Sequence, residues 1–103
     1  MTYYVTEWAA SGDNEVTGEF IKSQELASGE ASAVFDDRTF LVIVTHDGAG
    51  IGFVRYSKGT STPAAPEAGF RIPIFPNAQE PQALFNKSTN IRLYDRLAVV
   101  DAA

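Results

Sequence analysis

The chain has 103 residues, no cysteine and a formal net charge of −5, with 13 acidic against 8 basic residues. This length predicts one domain, and the lack of cysteine excludes disulfides and thiolate metal sites. The basic residues are scattered singly, so we expect no nucleic-acid partner. No apolar stretch approaches the ~20 residues of a membrane-spanning helix and the first residues lack signal-peptide features, so we expect synthesis in the cytoplasm and no membrane partner.

Strand-like stretches and turns alternate in the first third of the chain. Tyr3–Trp8 is rich in aromatic and β-branched residues and predicts a strand. Val16–Gln24 fits a helix face or a strand face, and Gly18 weakens the helix, so we favour a strand. Ala27–Glu30 predicts a turn, and Ala31–Phe35 predicts a short extended stretch.

Two β-rich stretches in the middle of the chain, Phe40–His46 and Ile51–Ser57, flank the glycine-containing turn Asp47–Gly50. They predict a central hairpin. The first stretch is apolar on both of its alternating faces, with Phe40, Val42 and Val44 on one face and Leu41 and Ile43 on the other. Such a strand is usually sandwiched between layers or has one face covered by another subunit.

A long loop and a proline-containing segment follow the predicted hairpin. Lys58–Gly69 is rich in Pro, Ser and Thr, and we expect this loop to cross from one sheet to another. In Phe70–Pro76, Pro73 cannot donate to a strand ladder, which predicts an edge strand or an extended arm. Its large apolar side chains are either ordinary core or candidates for a protein interface, and these candidates are Phe70, Ile72, Ile74 and Phe75.

The last third of the chain predicts three more short strands, at Pro81–Phe85, Asn90–Tyr94 and Leu97–Asp101. Residues 1–103 then form a single all-β domain, with the loop 58–69 inside it. The expected fold is an antiparallel β-sandwich or a small, jelly-roll-like barrel of about seven or eight short strands.

Catalysis would have to start from His46, the only histidine, beside Asp47. Histidine is a common general base, but Asp and Gly after it suit a turn, and adjacent strand residues point to opposite faces. We therefore predict a turn and no catalytic residue, so that His46→Ala should change stability by at most about 1 kcal/mol. The chain is not expected to be an enzyme or to use a cofactor.

Two other groups of residues could bind ligands. Asp36–Asp37, and Asp13 with Glu15, lack the spacing of a calcium loop, so we predict solvated corners and no metal site. The aromatic residues Tyr3, Tyr4 and Trp8 could form a stacking platform for sugars or bases, but core and cross-strand packing is the favoured interpretation.

Four segments between residues 35 and 95 carry a family resemblance: Phe35–Gly48, Phe53–Thr60, Phe70–Pro73 and Ile91–Asp95. The order of these segments resembles small accessory virion proteins of tailed bacteriophages. It consists of a strand after Arg38, a predicted hairpin, a loop with Gly-Thr, a proline-containing edge and a closing strand with Tyr94. The resemblance covers about residues 35 to 95. It implies a β-sandwich or barrel with a non-enzymatic structural role.

The resemblance leads to an expected function and two alternatives. The leading hypothesis is a capsid decoration or cement protein of the virion that self-associates, with a trimer favoured, and binds the major capsid protein or another virion protein. A tail, neck or fibre-base component is the first alternative. The second, from a different class, is a small-ligand or glycan-binding β-module that uses Tyr3, Tyr4 and Trp8.

Overall fold

The computed structural model describes residues 1–9, 18–64, 72–75 and 94–102, and the backbone of 82–85, 87–88 and 91–92. These residues contain strands, turns and extended segments but no helix, which confirms the all-β class. The strands are β1 (Thr2–Ala9), β2 (Glu19–Ala27), β3 (Thr39–His46), β4 (Gly52–Ser57), β5 (Ile72–Ile74), β6 (Gln82–Phe85), β7 (Lys87–Ser88), β8 (Ile91–Arg92) and β9 (Arg96–Asp101).

Two antiparallel sheets make up most of the fold. The first has the strand order β2-β1-β3-β6 and the second has the order β5-β4-β9, while β7 and β8 form a small ribbon. All of the strand pairs in the described residues are antiparallel. The arrangement is sandwich-like, as the alternating strands of the sequence predict.

The core lies between the two sheets and is built from alternate strand residues. In β1 every second side chain is buried, because successive strand residues point to opposite faces. Opposite β1, the inward residues Val42 and Val44 of β3 are also fully buried. The core cluster consists of Tyr3, Val5, Leu26, Phe35, Val42, Val44, Val54, Ile74, Leu97 and Val99.

The predicted central hairpin is wrong. Strands β3 and β4 lie in different sheets, since β3 pairs with β1 and β6 whereas β4 pairs with β5 and β9. Both edges of β3 are thus occupied, and its ladder with β1 runs from Tyr3↔His46 to Ala9↔Thr39. Residues 47–51, which we expected to form a hairpin turn, instead carry the chain from the first sheet to the second.

The expected crossing at Lys58–Gly69 is also wrong. The strands on either side of this loop, β4 and β5, are antiparallel neighbours in one sheet. The first part of the loop is held by the start of β9, where the Gly59 N–H donates to Asp95 Oδ2 at 2.7 Å and Arg96 Nη1 donates to the Thr60 carbonyl at 3.0 Å. Residues 65–69 lie outside the described part.

Residues 28–35 join the two sheets along one side. In the stretch Ala31–Phe35, predicted as extended, a single bridge joins Ala31 to Ala98. Backbone hydrogen bonds run from Gly29 N to Val99 O and from Ser32 N to Leu97 O, both at 2.8 Å. The segment therefore covers the edge of β9 that β4 leaves open, which removes one exposed edge from the second sheet.

Candidate protein interface

Strand β5 is the edge strand that Pro73 predicts. It has three residues and, within the part of the chain that the structure describes, pairs only with β4, in the register Gly52↔Ile74, Phe53↔Pro73 and Val54↔Ile72. Proline is tolerated at this position because an edge strand has one side free of ladder hydrogen bonds. The prediction of an edge strand is confirmed.

The four interface candidates do not share one environment. Ile74 is 1 % exposed and belongs to the core, whereas Ile72 is 38 % exposed and Phe75 is 46 % exposed. Phe70 lies outside the described residues. Two of the four candidates, Ile72 and Phe75, therefore lie at the surface. Ile74, between them in the sequence, packs in the core and anchors the strand.

Sequence reasoning missed a third apolar residue at this edge. Ile51 is 39 % exposed and immediately precedes Gly52, the register partner of Ile74, so it lies at the same end of the ladder as Phe75. The signal was a large apolar residue directly after the glycine-containing segment 47–50, at the first position of the predicted strand. We call Ile51, Ile72 and Phe75 the β5 surface.

His46 lies beneath the β5 surface and joins the two sheets. Its Nε2 is 3.0 Å from the Ile74 carbonyl oxygen, and its Nδ1 accepts a hydrogen bond from the Gly48 N–H at 3.1 Å. Since Nδ1 accepts, the ring proton is assigned to Nε2, which donates to Ile74. The imidazole is 6 % exposed, and both nitrogens of this buried ring have partners: Nε2 holds β5 against β3, whereas Nδ1 holds the backbone just after β3.

Asp47 does not orient His46. The Asp47 Oδ1 instead accepts a hydrogen bond from the Thr2 N–H at 2.9 Å, and the Asp47 N–H donates to the Thr2 carbonyl at 3.2 Å. The two neighbours therefore contact different groups, as the alternation of strand side chains predicts. His46 is a buried strand residue and not the turn residue we expected.

A second polar contact joins the sheets at the same end. Tyr3, fully buried in β1, donates its hydroxyl proton to Asp101 Oδ1 of β9 at 2.8 Å. Burial raises the pKa of Tyr3 well above its usual range, and the hydrogen bond to Asp101 adds to the shift. The same hydrogen bond, with smaller contributions from the amino group of Met1, lowers the pKa of Asp101.

A buried carboxylate occupies the inward face of β1. Glu7 Oε1 accepts hydrogen bonds from the Asp36 N–H at 2.8 Å and the Thr39 hydroxyl at 2.7 Å, while Oε2 lies 3.5 Å from Lys22 Nζ. Sequence analysis did not single out Glu7, although its place in the alternation with Tyr3 and Val5 was visible. Such contacts tie residues 36–39 to the sheet, because a buried charge is tolerated only when it is paired or hydrogen-bonded.

The acidic corner at Asp36 is held by hydrogen bonds from the nearby Arg38. Asp36 Oδ1 accepts hydrogen bonds from the Arg38 N–H at 2.8 Å and from Arg38 Nε at 3.2 Å. The backbone hydrogen bond is the largest cause of the lowered pKa of Asp36. Asp13 and Glu15 lie outside the described residues. Within the described part of the chain, no group of three or more His, Cys, Asp or Glu side chains could hold a metal ion.

Strand alternation also divides the aromatic platform. Tyr3 points into the core, whereas Tyr4 and Trp8 lie on the opposite, outer face of β1. The packing interpretation therefore holds for Tyr3. Trp8 packs edge-to-face on Phe20, with ring centroids 5.5 Å apart and planes at 71°. Tyr3 therefore does not share a face with Tyr4 and Trp8.

No protein-family model, curated protein or solved structure matches this chain. The described residues contain no helix that is long and apolar enough to cross a membrane.

Proposed function

We propose that the chain is a non-enzymatic virion structural protein of the capsid cement or decoration type, which docks on coat subunits through the β5 surface. The observation that carries the proposal is an edge strand with two exposed apolar side chains, fixed from below by Ile74 and His46. Exposed apolar residues at a sheet edge are typical of protein contact sites. The resemblance to accessory virion proteins supplies the kind of partner.

The size of the β5 surface favours a partner with many copies. Ile51, Ile72 and Phe75 are 38 to 46 % exposed, so covering them contributes roughly 1 kcal/mol each, or about 3 kcal/mol in all. Association costs at least about 4 kcal/mol in lost freedom, so one such contact alone is weak. A capsid shell presents the same coat surface many times, and a self-associated protein could occupy several sites at once.

The test is cosedimentation of the purified protein with empty capsid shells of the phage that encodes it. The unmodified protein should sediment with the shells, and Phe75→Asp and Ile72→Asp should each remove most of the bound protein. Ser61→Asp is the matched control, because it adds the same charge at an exposed loop position. Equal binding of all four proteins, or no binding of the unmodified protein, would contradict the proposal.

The same preparations separate the cement role from a tail, neck or fibre-base role. Labelled protein added to intact particles that lack it should cover the shell. Label confined to the tail or neck would leave a virion role in place but replace the coat protein as the partner.

A further inference from the structure

His46 connects the two parts of the β5 surface. Its Nε2 donates to the Ile74 carbonyl at 3.0 Å, in the strand that begins at Ile72. Its Nδ1 accepts a hydrogen bond from the Gly48 N–H at 3.1 Å, in the segment that leads to Ile51. A single imidazole ring therefore sets the position of strand β5 relative to that segment, and both of them carry residues of the β5 surface.

The two hydrogen bonds require a neutral ring. In neutral histidine one nitrogen donates and the other accepts, whereas both nitrogens of the protonated ring donate. A proton on Nδ1 would point at the Gly48 N–H across 3.1 Å, so two donors would meet without an acceptor between them. The imidazole is also buried, and a buried charge is costly unless it is paired and hydrogen-bonded. Protonation therefore opposes the observed position of the ring.

The backbone that follows β3 is held at two other points. The Asp47 N–H donates to the Thr2 carbonyl at 3.2 Å, and the Ala102 N–H donates to the Ile51 carbonyl at 2.9 Å. The histidine side chain turns about two single bonds, so the imidazole moves more easily than this backbone. Movement of the ring takes Nε2 away from the carbonyl of β5, and the hydrogen bond that joins β5 to the first sheet is then lost.

We propose that proton uptake by His46 releases β5 from the first sheet, so that the β5 surface is held in place at neutral pH and loosened in mild acid. Given the proposed function, on which this inference rests, acid then weakens docking on the coat. Histidine is the side chain that ordinarily changes charge between about pH 5 and 8. The contacts of the neutral ring are present in the upper part of this range and are lost as pH falls through it.

The nearest titratable groups keep one charge state over this range. Tyr3 of β1 packs edge-on against the imidazole, with ring centroids 5.6 Å apart, and burial raises the pKa of its phenol, which stays neutral. The hydrogen bond from Tyr3 is the largest cause of the lowered pKa of Asp101 in β9, so this carboxylate stays ionised. A charge on His46 is a further cause. Because that attraction is mutual, the carboxylate favours the protonated ring and lets the folded protein take up the proton.

The remaining charged groups near the ring are few. The amino group of Met1 lies 3.3 Å from Asp101 Oδ2, and Asp47 follows His46 directly in the chain. Strands β5 and β6 contain no charged residue. Arg55 lies three residues beyond the start of β4, and Lys87 of β7 follows the end of the β3–β6 ladder that is remote from the histidine. A variant that changes the histidine alone therefore separates its effect from those of its neighbours.

The first experiment follows the purified protein alone by NMR, from about pH 7.5 to about pH 5. The ring nitrogen signals show when His46 takes up a proton, and hydrogen exchange, corrected for its intrinsic pH dependence, measures protection of the Gly48 N–H. This protection should fall by about tenfold with the midpoint of the ring titration, and the side-chain signals of Ile72 and Phe75 should shift with it. The Ser32 N–H, which donates to β9 at 2.8 Å, is the matched control and should stay protected. A ring that stays neutral, or one that takes up a proton while Gly48 and β5 are unchanged, overturns the proposal.

Shell binding at the two ends of this pH range measures the consequence for docking. If about nine-tenths of the protonated molecules have released β5, the apparent dissociation constant rises about tenfold. His46→Gln retains a side-chain N–H for the Ile74 carbonyl but takes up no proton, so its affinity should change much less between the two pH values. The variant leaves Asp101, Met1 and Asp47 in place. An equal pH dependence of both proteins would therefore assign the effect to those groups or to the shells, and the proposal would fail.

Circular dichroism shows whether His46→Gln is folded at both pH values, and the NMR experiment on the unmodified protein decides the matter without the variant. The two proposals fail in different ways. Absence of shell binding at every pH, with the NMR changes present, would remove the proposed function and leave the acid response of β5. Shell binding that is equally strong at both pH values would remove the acid response and leave the proposed function.

Discussion

Gly52→Ala tests the packing that joins the two sheets. A Cβ placed on Gly52 would lie 2.6 Å from Tyr3 Cε2 and 2.7 Å from Tyr3 Cζ, and it would clash with the Tyr3 hydroxyl oxygen as well. Real Cβ atoms do not approach so closely, and the Tyr3 ring is fully buried, so it has no open space into which it can rotate. The ring must shift, and the 2.8 Å hydrogen bond to Asp101 is then lost.

Two contributions set the size of the effect. Overpacking a core costs about 1–3 kcal/mol, and a lost hydrogen bond to a charged group costs about 1.5–3 kcal/mol. We therefore expect Gly52→Ala to lower the free energy of unfolding by about 3 kcal/mol or more. Tyr3→Phe alone removes the hydrogen bond, so the double variant should cost less than the sum of the two single ones, with a coupling of about 1–2 kcal/mol.

The assay is urea denaturation followed by Trp8 fluorescence, at a fixed low protein concentration. Gly50→Ala is the matched control, because the same substitution two residues away meets no atom within 4 Å. Gly50→Ala should leave stability unchanged or raise it by up to about 1 kcal/mol, through the unfolded state. Equal stability of the two alanine variants would refute the reasoning. A double-mutant cycle in which the stability losses of Tyr3→Phe and Gly52→Ala simply add would refute it as well.

Three further predictions concern polar side chains that connect parts of the fold. His46→Ala should lower the free energy of unfolding by about 3 kcal/mol, because it leaves a cavity in a buried site and removes the hydrogen-bond donor of the Ile74 carbonyl. Urea denaturation measures this change. A loss of under about 1 kcal/mol would instead support the interpretation of His46 as a turn residue. Glu7→Gln should cost about 2 kcal/mol by placing an amide N–H₂ beside an ammonium, with Glu25→Gln as a neutral surface control in thermal unfolding. Because the Tyr3 hydroxyl lowers the pKa of Asp101 in the folded state, this carboxylate stabilises the fold above about pH 4 and loses that effect as pH falls. Asp101→Asn should therefore make the acid loss of stability smaller in a pH series of urea melts, and an unchanged series would contradict that assignment.

Local patterns in the sequence predict much of this fold. The alternation of β1, the stop at Ala27–Glu30 and the edge position of Pro73 follow from backbone geometry and side-chain size within a few residues. For the same reason the all-β class is readable from the sequence. Glu7 was open to the same logic, because a charge on the inward side of an alternating strand needs partners.

Strand pairing was not readable in this way. The stretches before and after residues 47–50 have the properties of a hairpin, yet β4 takes its partner from the far end of the chain, in the ladder Gly52↔Asp101 to Ser57↔Arg96. Such pairings depend on competition among all strands for the edges available, which no local pattern contains. His46 was misplaced as a consequence, since its surroundings come from β5 in the other sheet.

The way in which strand β5 is held in the fold bears on how the β5 surface works. Strand β5 has only three residues and one ladder partner, so it would be loosely held without the His46 hydrogen bond and the buried Ile74. Fixing it in advance lowers the conformational entropy lost on docking, which matters for a surface that contributes only about 3 kcal/mol. His46→Ala should therefore weaken docking through the β5 surface, which cosedimentation with the shells measures.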